Sequence, residues 1–344
     1  MKTRKITAII LSVIVCAGLM LSGCGKGSGA NGNNDQEASG GKDPSKVWVL
    51  RVDDNDVYLN EVNFYALSLL EGMGVEKGTD MSTYYSESYP TLDSAFKAQL
   101  LLQMRQTKIL YQKAVERGIT LTADEEAEMN DLVDAFIENY DSETQEKYGL
   151  DRDVLVKIYT EMGMIKKLEN TLMEETEYEN LDYGTFYNFV FLTIKLDDNG
   201  NGVLDESGNY VELSQSEIDA QKEKADEVLA RLKDGEDPES LIKEYDLSAT
   251  SGILHATSDS LQSTYKLKDG EVSNVIQNDF GYTIVKMVSV VDKEYTDTVN
   301  VYNESSTKSS AVEDQEQAWF DSYFFSADDV DSEVWSKFTF QDFL

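Results

Sequence analysis

The segment Ala225–Asp237, with the sequence ADEVLARLKDGED, decides the fold of the C-terminal half of the chain. Its apolar residues recur at intervals of three and four, which predicts an α-helix with one buried face. Ser214 and Glu217 form a capping box that opens this helix, and Gly235 follows its end. Asp237 is followed by a proline, which predicts the start of a second, short helix because proline is favoured at the first helical position.

Predicted strands flank these helices. Residues 186–196 are dense in aromatic and β-branched side chains, which favour strands, and residues 267–276 and 282–291 show the same preference. The resulting order β-α-α-β-β predicts a compact α+β domain over residues 181–294. Between its first strand and its first helix, residues 197–209 are rich in Gly, Asn and Asp, which indicates turns.

The preceding residues, 47–180, predict a mostly helical domain. A short strand at 47–52 is followed by helical segments whose apolar residues recur at i, i+3 and i+4. Helices of that length need partner surfaces, because an isolated helix is only marginally stable in water. We expect these helices at residues 60–71, at 92–117, from the capping box of Thr122 and Glu125 onwards, and at 151–174.

Residues 295–344 form a further predicted part. A polar stretch precedes an amphipathic helix near residues 311–324, and a strand is predicted at 334–340. This part carries Trp319, Tyr323, Trp335 and Phe338, which are too apolar for a free tail. We therefore expect it to pack back on one of the two preceding domains.

The N-terminus has the pattern of a secretory signal. Residues 1–5 are basic, residues 6–21 are apolar, and the sequence LSGC ends the pattern at Cys24. This ending resembles the bacterial lipobox, which implies a signal peptide over residues 1–23 and lipid on Cys24; a plain signal peptide with an incidental cysteine is the alternative. Residues 24–46 are rich in Gly, Asn and Ser and predict a flexible tether. The expected location is extracytoplasmic, with the chain anchored to the bacterial cell membrane by lipid.

The composition narrows the function further. The formal net charge of −35 argues against nucleic acid and anionic lipid as partners. It could favour basic clients or divalent cations, although solubility at a crowded envelope surface is the simpler explanation. Cys16 would leave with the signal and Cys24 would carry lipid, so the mature chain would have no thiol for a disulfide, a metal or a nucleophile.

Three segments of the α+β domain resemble parvulin-type peptidyl-prolyl isomerase domains. They are residues 225–237, residues 267–274 with the sequence LKDGEVSN, and residues 279–286 with the sequence DFGYTIVK. Residues 49–62 and 110–122 resemble the N-terminal region of extracytoplasmic foldases of the PrsA and SurA type. The resemblance implies the fold class α+β: a mostly helical, SurA-N-like N-terminal domain completed by the C-terminal segment, plus a small parvulin-like α+β domain.

The resemblance also implies where an isomerase site would lie. Family members use two core histidines, a nearby acidic or thiol side chain and a pocket lined by Met and Phe. The two histidine positions fall on Phe191 and Thr283 in this chain, and phenylalanine cannot join a hydrogen-bond network. The segment between them is shortened to residues 251–257 and a polar run, which predicts a poor rim for a proline slot. His255, the only histidine, is expected on a surface loop.

The function implied is that of a foldase or chaperone whose isomerase activity is weak or lost. The alternative is an active isomerase with a rearranged site. Phe280 and Tyr282 could then line its substrate pocket, although core packing is the simpler interpretation of both. Because both histidine positions are replaced, the sequence does not decide whether the chain is an enzyme. No cofactor is expected, since rotating an X-Pro bond needs neither metal nor nucleophile. The expected partners are unfolded or newly exported proteins, the membrane and, if the chain dimerises, a second copy.

Two interpretations from other classes are weaker. Residues 197–205 resemble part of an EF-hand loop, with Asp197, Asn199 and Asn201 at positions 1, 3 and 5. Position 12 is Gly208 instead of the bidentate Glu that such loops require, so a hairpin insertion without metal is favoured over a calcium site. A solute-binding lipoprotein would need long β-α-β alternation in two lobes, which the helical first half does not offer.

Overall fold

The computed structural model describes residues 43–344. The predicted signal peptide, the lipidation site Cys24 and the tether up to residue 42 therefore lie outside the described residues. The chain divides into two units. The first, the helical unit, comprises residues 43–177 and Lys308–Leu344; the second, the α+β unit, comprises Tyr178–Thr307. Among the described residues, no helix has the length and apolarity that crossing a bilayer requires.

The helical unit begins with a small hairpin and continues with helices whose first residues are capped by side chains. Residues 44–46, predicted as tether, fold as a 3-10 turn capped by the Asp43 carboxylate. The prediction missed the short helix after residue 141, although Asp141 caps it by accepting a hydrogen bond from the Thr144 N–H. The elements are β1 (Trp48–Val52), β2 (Asn55–Tyr58), α1 (Leu59–Gly72), α2 (Leu92–Glu116), α3 (Ala123–Asn139), α4 (Ser142–Tyr148) and α5 (Arg152–Glu175).

The C-terminal segment completes the helical unit, as the fold-class prediction states. Phe338 and Phe340 are buried in the same core as the β1–β2 hairpin and α1. The Lys97 ammonium donates to the carbonyl oxygen of Phe338 at 2.6 Å, and the Phe340 N–H donates to an Asp93 carboxylate oxygen at 2.7 Å. The described residues of the chain therefore hold a helical unit built from both ends of the sequence.

Two details predicted for this C-terminal segment are wrong. The helix α9 (Lys293–Ser322) begins long before residue 311, because the Asp292 carboxylate accepts a hydrogen bond from the Tyr295 N–H and opens it there. Residues 334–340 do not form a strand; α10 (Ser332–Lys337) occupies most of them. Asp331 caps α10, and the apolar residues Val334, Trp335 and Phe338 follow helical spacing, not alternation.

The elements of the α+β unit are β3 (Tyr183–Leu192), α6 (Gln215–Lys233), α7 (Pro238–Glu244), β4 (Gly252–Thr257), α8 (Ser258–Thr264), β5 (Ile276–Asn278) and β6 (Gly281–Ser289). Its strands form a four-stranded antiparallel sheet with the strand order β4-β3-β6-β5. Helices α6 and α7 agree closely with the predicted ones. The predicted strand at 267–276 is wrong except at its end, because Gly270 has a positive φ and residues 270–273 make only scattered bonds to β6.

Both faces of this sheet carry apolar clusters. On one face, Phe189 and Phe191 of β3 pack against buried residues of α6 and α7, such as Val228 and Leu241. On the other face, Phe186 packs with Leu261 of α8 and with two residues of β6. Since successive side chains of a strand point to opposite faces, odd-numbered residues of β3 face α6 and α7, and even-numbered residues face the side of α8.

Candidate functional site

The structure does not bring the two predicted histidine positions together. Phe191 lies opposite Tyr282 in the pairing of β3 with β6, whereas Thr283 lies opposite Val190. Residues directly opposite each other share a face, so Phe191 and Thr283 point to opposite faces of the sheet. Phe191 is 1% exposed and belongs to the core beside α6 and α7. No hydrogen-bond network can therefore join these two positions.

A shallow polar surface surrounds Thr283 on the side of α8; we call it the Thr283 face and define it by Asn188, Val190, Ile276 and Thr283. Their register places all four side chains on one side of the sheet, and all four are half-buried. The Asn188 side-chain oxygen is buried without a hydrogen-bond partner among the described residues. The Thr283 hydroxyl lies 3.4 Å from the side-chain nitrogen of Asn278.

The chemistry of the Thr283 face is that of neutral groups. It offers one amide and one hydroxyl for hydrogen bonds and two aliphatic side chains for apolar contact, and none of the four side chains titrates near neutral pH. Such a surface can bind a peptide or a proline ring. It cannot exchange a proton with one.

The hairpin between β5 and β6 sets the shape of one edge of this face. The Asn278 side-chain oxygen accepts hydrogen bonds from the N–H groups of Phe280 and Gly281, which closes the turn. Gly281 has φ of +144°, and a Cβ there would lie 2.1 Å from the carbonyl oxygen of Phe191. Only glycine fits this close approach of two strands.

Phe280 and Tyr282 have different surroundings. Tyr282 is buried in the cluster with Phe191 and the helices α6 and α7, so it belongs to the core and not to a pocket. Phe280 is 44% exposed, and its ring makes an edge-to-face contact with Tyr210 at 5.3 Å. The interpretation as core packing therefore holds for Tyr282, whereas Phe280 lies at the surface.

His255 lies on β4, not on a loop, and has defined partners. The Thr185 hydroxyl donates to an Asp292 carboxylate oxygen at 2.6 Å, so its oxygen is left to accept from Nδ1 of His255 at 2.8 Å. This hydrogen bond from Thr185 is the main cause that lowers the pKa of Asp292. The imidazole stacks on the ring of Tyr295 with centroids 3.6 Å apart.

These contacts fix the position of His255 relative to the candidate site. His255 is opposite Thr185 in the ladder between β3 and β4, and Thr185 is an odd-numbered residue of β3. The imidazole therefore lies on the face of α6 and α7, away from the Thr283 face. It does not replace either of the missing family histidines there.

The calcium candidate forms a turn closed by its own side chain. One oxygen of Asp197 accepts hydrogen bonds from the N–H groups of Asn199 at 2.9 Å and Asn201 at 2.8 Å, and the bond from Asn201 is the main cause that lowers the pKa of Asp197. Within residues 43–344, no group of three His, Cys, Asp or Glu side chains is placed to hold a metal ion. The pattern of the sequence is explained by Asx-turn geometry.

Residues 197–209 contain a short repeat that the sequence analysis missed. Asp-x-x-Gly-Asn occurs at residues 197–201 and again at 205–209, and the Asp205 carboxylate repeats the hydrogen bonds of Asp197 by accepting from the N–H groups of Ser207 and Asn209. The eight-residue spacing was the signal. Two matching turns stack side by side because Val203 N–H donates to the carbonyl oxygen of Lys195, and Val211 N–H to that of Val203.

Comparison with known proteins assigns the α+β unit. A protein-family model described as the PPIC-type PPIASE domain matches residues 201–301. The α+β unit is therefore a parvulin-type peptidyl-prolyl isomerase domain. No curated protein matches the chain significantly.

Several solved structures that carry the name PrsA are similar to the chain. The peptidylprolyl isomerase PrsA of Bacillus cereus is 15% identical, with 76% of this chain and 98% of that chain covered and a TM-score of 0.30. PrsA of Bacillus subtilis is 17% identical over 86% of this chain and 99% of that chain, with a TM-score of 0.21. The foldase protein PrsA of Streptococcus pneumoniae is 15% identical, with 85% of this chain and 99% of that chain covered and a TM-score of 0.24. TM-scores of this size carry no argument about the role of this chain or about the positions of its residues.

Proposed function

We propose that this chain is an exported foldase that binds incompletely folded polypeptides and has weak isomerase activity. The observation that carries the proposal is the Thr283 face, which keeps the sheet of a parvulin-type domain but offers only neutral groups. An isomerase must favour the twisted amide over the planar one, so it needs groups whose interactions strengthen in the transition state. Asn188 and Thr283 provide binding groups, whereas no ionisable pair is present on that face.

An active isomerase with a rearranged site is the second candidate, and one observation favours it. The oxygen of Asn188, one of the four residues of the Thr283 face, is buried without a partner, and leaving such a group unsatisfied costs about 1–3 kcal/mol. A substrate N–H that filled this vacancy at the transition state would lower the barrier. The position of Asn188 therefore defines where residual activity would originate.

The two candidates are separated by an exchange assay. NMR exchange spectroscopy measures how fast the cis and trans isomers of a short Ala-Pro peptide interconvert in the presence of the full chain. We expect a rate close to that of the uncatalysed reaction, which takes tens of seconds or more at room temperature. Strong turnover by the wild type would overturn weak activity. In that case Thr283→Val should abolish turnover without unfolding the chain, while Tyr187→Phe, on the opposite face of the same sheet, should leave it unchanged.

Client binding is tested by aggregation. The chain should suppress the aggregation of reduced lysozyme, a basic client, more strongly than that of an acidic unfolded protein, because its net charge of −35 attracts the first and repels the second. The difference should shrink at about 0.5 M salt, where screening shortens the range of surface charges to a few ångströms. No suppression of either client would refute the foldase proposal.

We also propose that lipid on Cys24 anchors the chain outside the cell membrane. The support is the order of basic, apolar and LSGC segments in the sequence. Cells that express the wild-type chain should incorporate labelled palmitate into it and hold it in the membrane fraction. Cys24→Ser should lose the label and release the chain, and a Cys24→Ser chain that keeps the label would contradict the proposal.

A further inference from the structure

The strand β4 forms one edge of the sheet in the α+β unit, and its register shows which backbone groups face outward. The Ser258 N–H donates to the carbonyl oxygen of Asp182, next to the pairing of Thr257 with Tyr183. Hydrogen-bonded pairs alternate along an antiparallel ladder. The backbones of Gly252, Leu254 and Ala256 therefore bond β3, while those of Ile253 and His255 point away from the sheet.

Independent contacts support this assignment of β4 and β3. The Tyr183 N–H donates to the Thr296 hydroxyl at 2.9 Å, and its carbonyl oxygen accepts from the Asp292 N–H at 2.7 Å, so Tyr183 has no backbone group left for β4. By the same alternation, the backbone N–H and carbonyl groups of Ile253 and His255 make no bond to β3, and among the described residues they have no backbone partner outside the ladder. Four backbone groups are thus free along the edge.

This edge lacks the usual protection against pairing. Natural edge strands carry charges, proline or bulges that prevent another strand from adding. The sequence GILHAT of β4 contains no charged residue and no proline, and its ladder with β3 has no register shift. Ile253 is 50% exposed and Leu254 is 46% exposed, one on each face of the sheet. The opposite edge, β5, is protected by its length of three residues.

The side chain of His255 makes the edge rigid without covering it. Its Nδ1 hydrogen bond to Thr185 and its stack on Tyr295 hold the imidazole on one face of the sheet. The N–H and carbonyl groups of residue 255 are not used by these contacts. An added strand would meet a backbone already held in the extended conformation, which reduces the entropy lost on binding.

Charge and size decide which occupant fits. Only an extended polypeptide presents alternating N–H and carbonyl groups that match the edge. A second copy of the chain would bring another net charge of −35, and a six-residue edge is small against the roughly 800 Å² per partner of a stable interface. A neutral or basic segment of an unfolded protein meets neither obstacle.

We infer that β4 binds an extended, apolar and non-acidic segment of a client protein as a fifth strand of the sheet. Ile253 and Leu254 would contact alternate side chains of that segment on the two faces. The inference rests on the proposed foldase function, because it names the surface and the backbone conformation by which a client is held.

The test uses the full chain with reduced lysozyme whose cysteines are blocked with iodoacetamide, a basic polypeptide that cannot refold. Hydrogen exchange of the amides of Ile253 and His255 should slow by about tenfold or more when the client is bound. Ile253→Pro should weaken binding by about fivefold or more, as expected for the loss of one backbone hydrogen bond. The native ladder should survive, because proline is tolerated where the N–H faces outward.

Two further variants control for surface character and folding. Ile253→Lys should weaken binding while keeping the N–H, because a charge then faces the added strand. Val288→Lys changes an exposed aliphatic residue of β6 in the same sheet and should bind like the wild type. Far-UV circular dichroism and thermal unfolding check each variant, and Ile253→Lys carries the test if Ile253→Pro does not fold.

Each outcome separates the inference from the function on which it rests. If the client binds both Ile253 variants as well as the wild type and the two amides exchange unchanged, the edge is not the binding surface and the foldase function stands. If the wild type binds no client, both fail. If the amides are protected without client and in proportion to protein concentration, a second copy occupies the edge, and the inference is wrong.

Discussion

Replacing Lys108 with methionine should strongly destabilise the helical unit, because Lys108 neutralises two buried carboxylates. Lys108 is 1% exposed, and its ammonium lies 2.6 Å from a carboxylate oxygen of Glu61 and 2.6 Å from one of Glu161. Lys157 also contacts Glu61. Burial alone would lower the pKa of Lys108, but attraction by the two carboxylates outweighs it and raises that pKa.

The size of the effect follows from the fate of Glu161 in Lys108→Met. Burial raises the pKa of Glu161 from its ordinary value of 4.5 even with the ammonium in place. Without the Lys108 ammonium, the helical unit should fold only when the Glu161 carboxyl group is protonated. At pH 7, about 2.5 units above its ordinary pKa, protonation costs about 3.4 kcal/mol at 1.36 kcal/mol per unit. This agrees with the roughly 3–5 kcal/mol found when one partner of a buried ion pair is removed.

The sign of the pH dependence is fixed by the same argument. The folded variant holds a proton on Glu161 that the unfolded chain releases above pH 4.5, so its stability falls as pH rises. The loss caused by Lys108→Met should therefore shrink by about 1.4 kcal/mol per pH unit from pH 7 to pH 5. Adding Glu161→Gln to Lys108→Met should recover most of the loss at pH 7.

Urea unfolding followed by tryptophan fluorescence measures this effect. The three tryptophans, Trp48, Trp319 and Trp335, all lie in the helical unit, so the signal reports that unit alone. Lys113→Met is the control on the same helix: its partner Glu116 is exposed, and such pairs contribute only about 0.2–1 kcal/mol. A loss below about 1 kcal/mol for Lys108→Met, or one that is flat between pH 5 and 7, would refute the reasoning.

Two further predictions concern the remaining unusual positions. Burial, with the neighbouring Glu169 carboxylate, raises the pKa of Glu316 to about 7. The unfolding free energy of the helical unit should therefore fall as pH rises from 4.5 to 7. In urea titrations at several pH values, Glu316→Gln should make this fall smaller than in the wild type. Gly281→Ala should destabilise the α+β unit by about 3 kcal/mol or more in thermal unfolding, because its Cβ would collide with the carbonyl oxygen of Phe191. Gly252→Ala, where a Cβ meets open space, should change little, and equal effects of the two substitutions would contradict the hairpin geometry.

Local signals in the sequence predicted much of the fold. The capping boxes at Thr122 and Ser214 set the starts of two helices correctly, because a cap is a short-range hydrogen bond that the sequence contains whole. The family resemblance and the fold class it implied are confirmed. The errors fall where the local signal is weak or where an element depends on distant partners. The helix α4 was missed because seven residues are too few to show helical periodicity. The start of α9 was misplaced because its first turns are polar and are held by distant residues, as where the Asn300 side chain bonds residues 178–181.

The candidate site was harder to predict because it depends on strand register. A shift of one residue moves a side chain to the other face of a sheet, and only the register shows that Val190, and not Phe191, lies opposite Thr283. His255 was misplaced for a related reason: β4 exists only through its pairing with β3. Neither pairing leaves a local mark in the sequence, since both partners are far apart along the chain.

The two faces and the edge of the sheet separate the groups that stabilise the fold from the groups that we propose for isomerase activity and for client binding. The core around Phe189 and Phe191 lies on the face of α6 and α7, so its stability does not depend on which groups occupy the Thr283 face. Replacing one of the neutral groups on the Thr283 face would leave no buried charge and would preserve the fold. Binding at β4 would use backbone groups, which every sequence provides and no substitution on the Thr283 face removes. The two proposed sites are therefore separable: Thr283→Val should leave client binding unchanged, whereas Ile253→Pro should weaken client binding and leave any isomerase turnover unchanged.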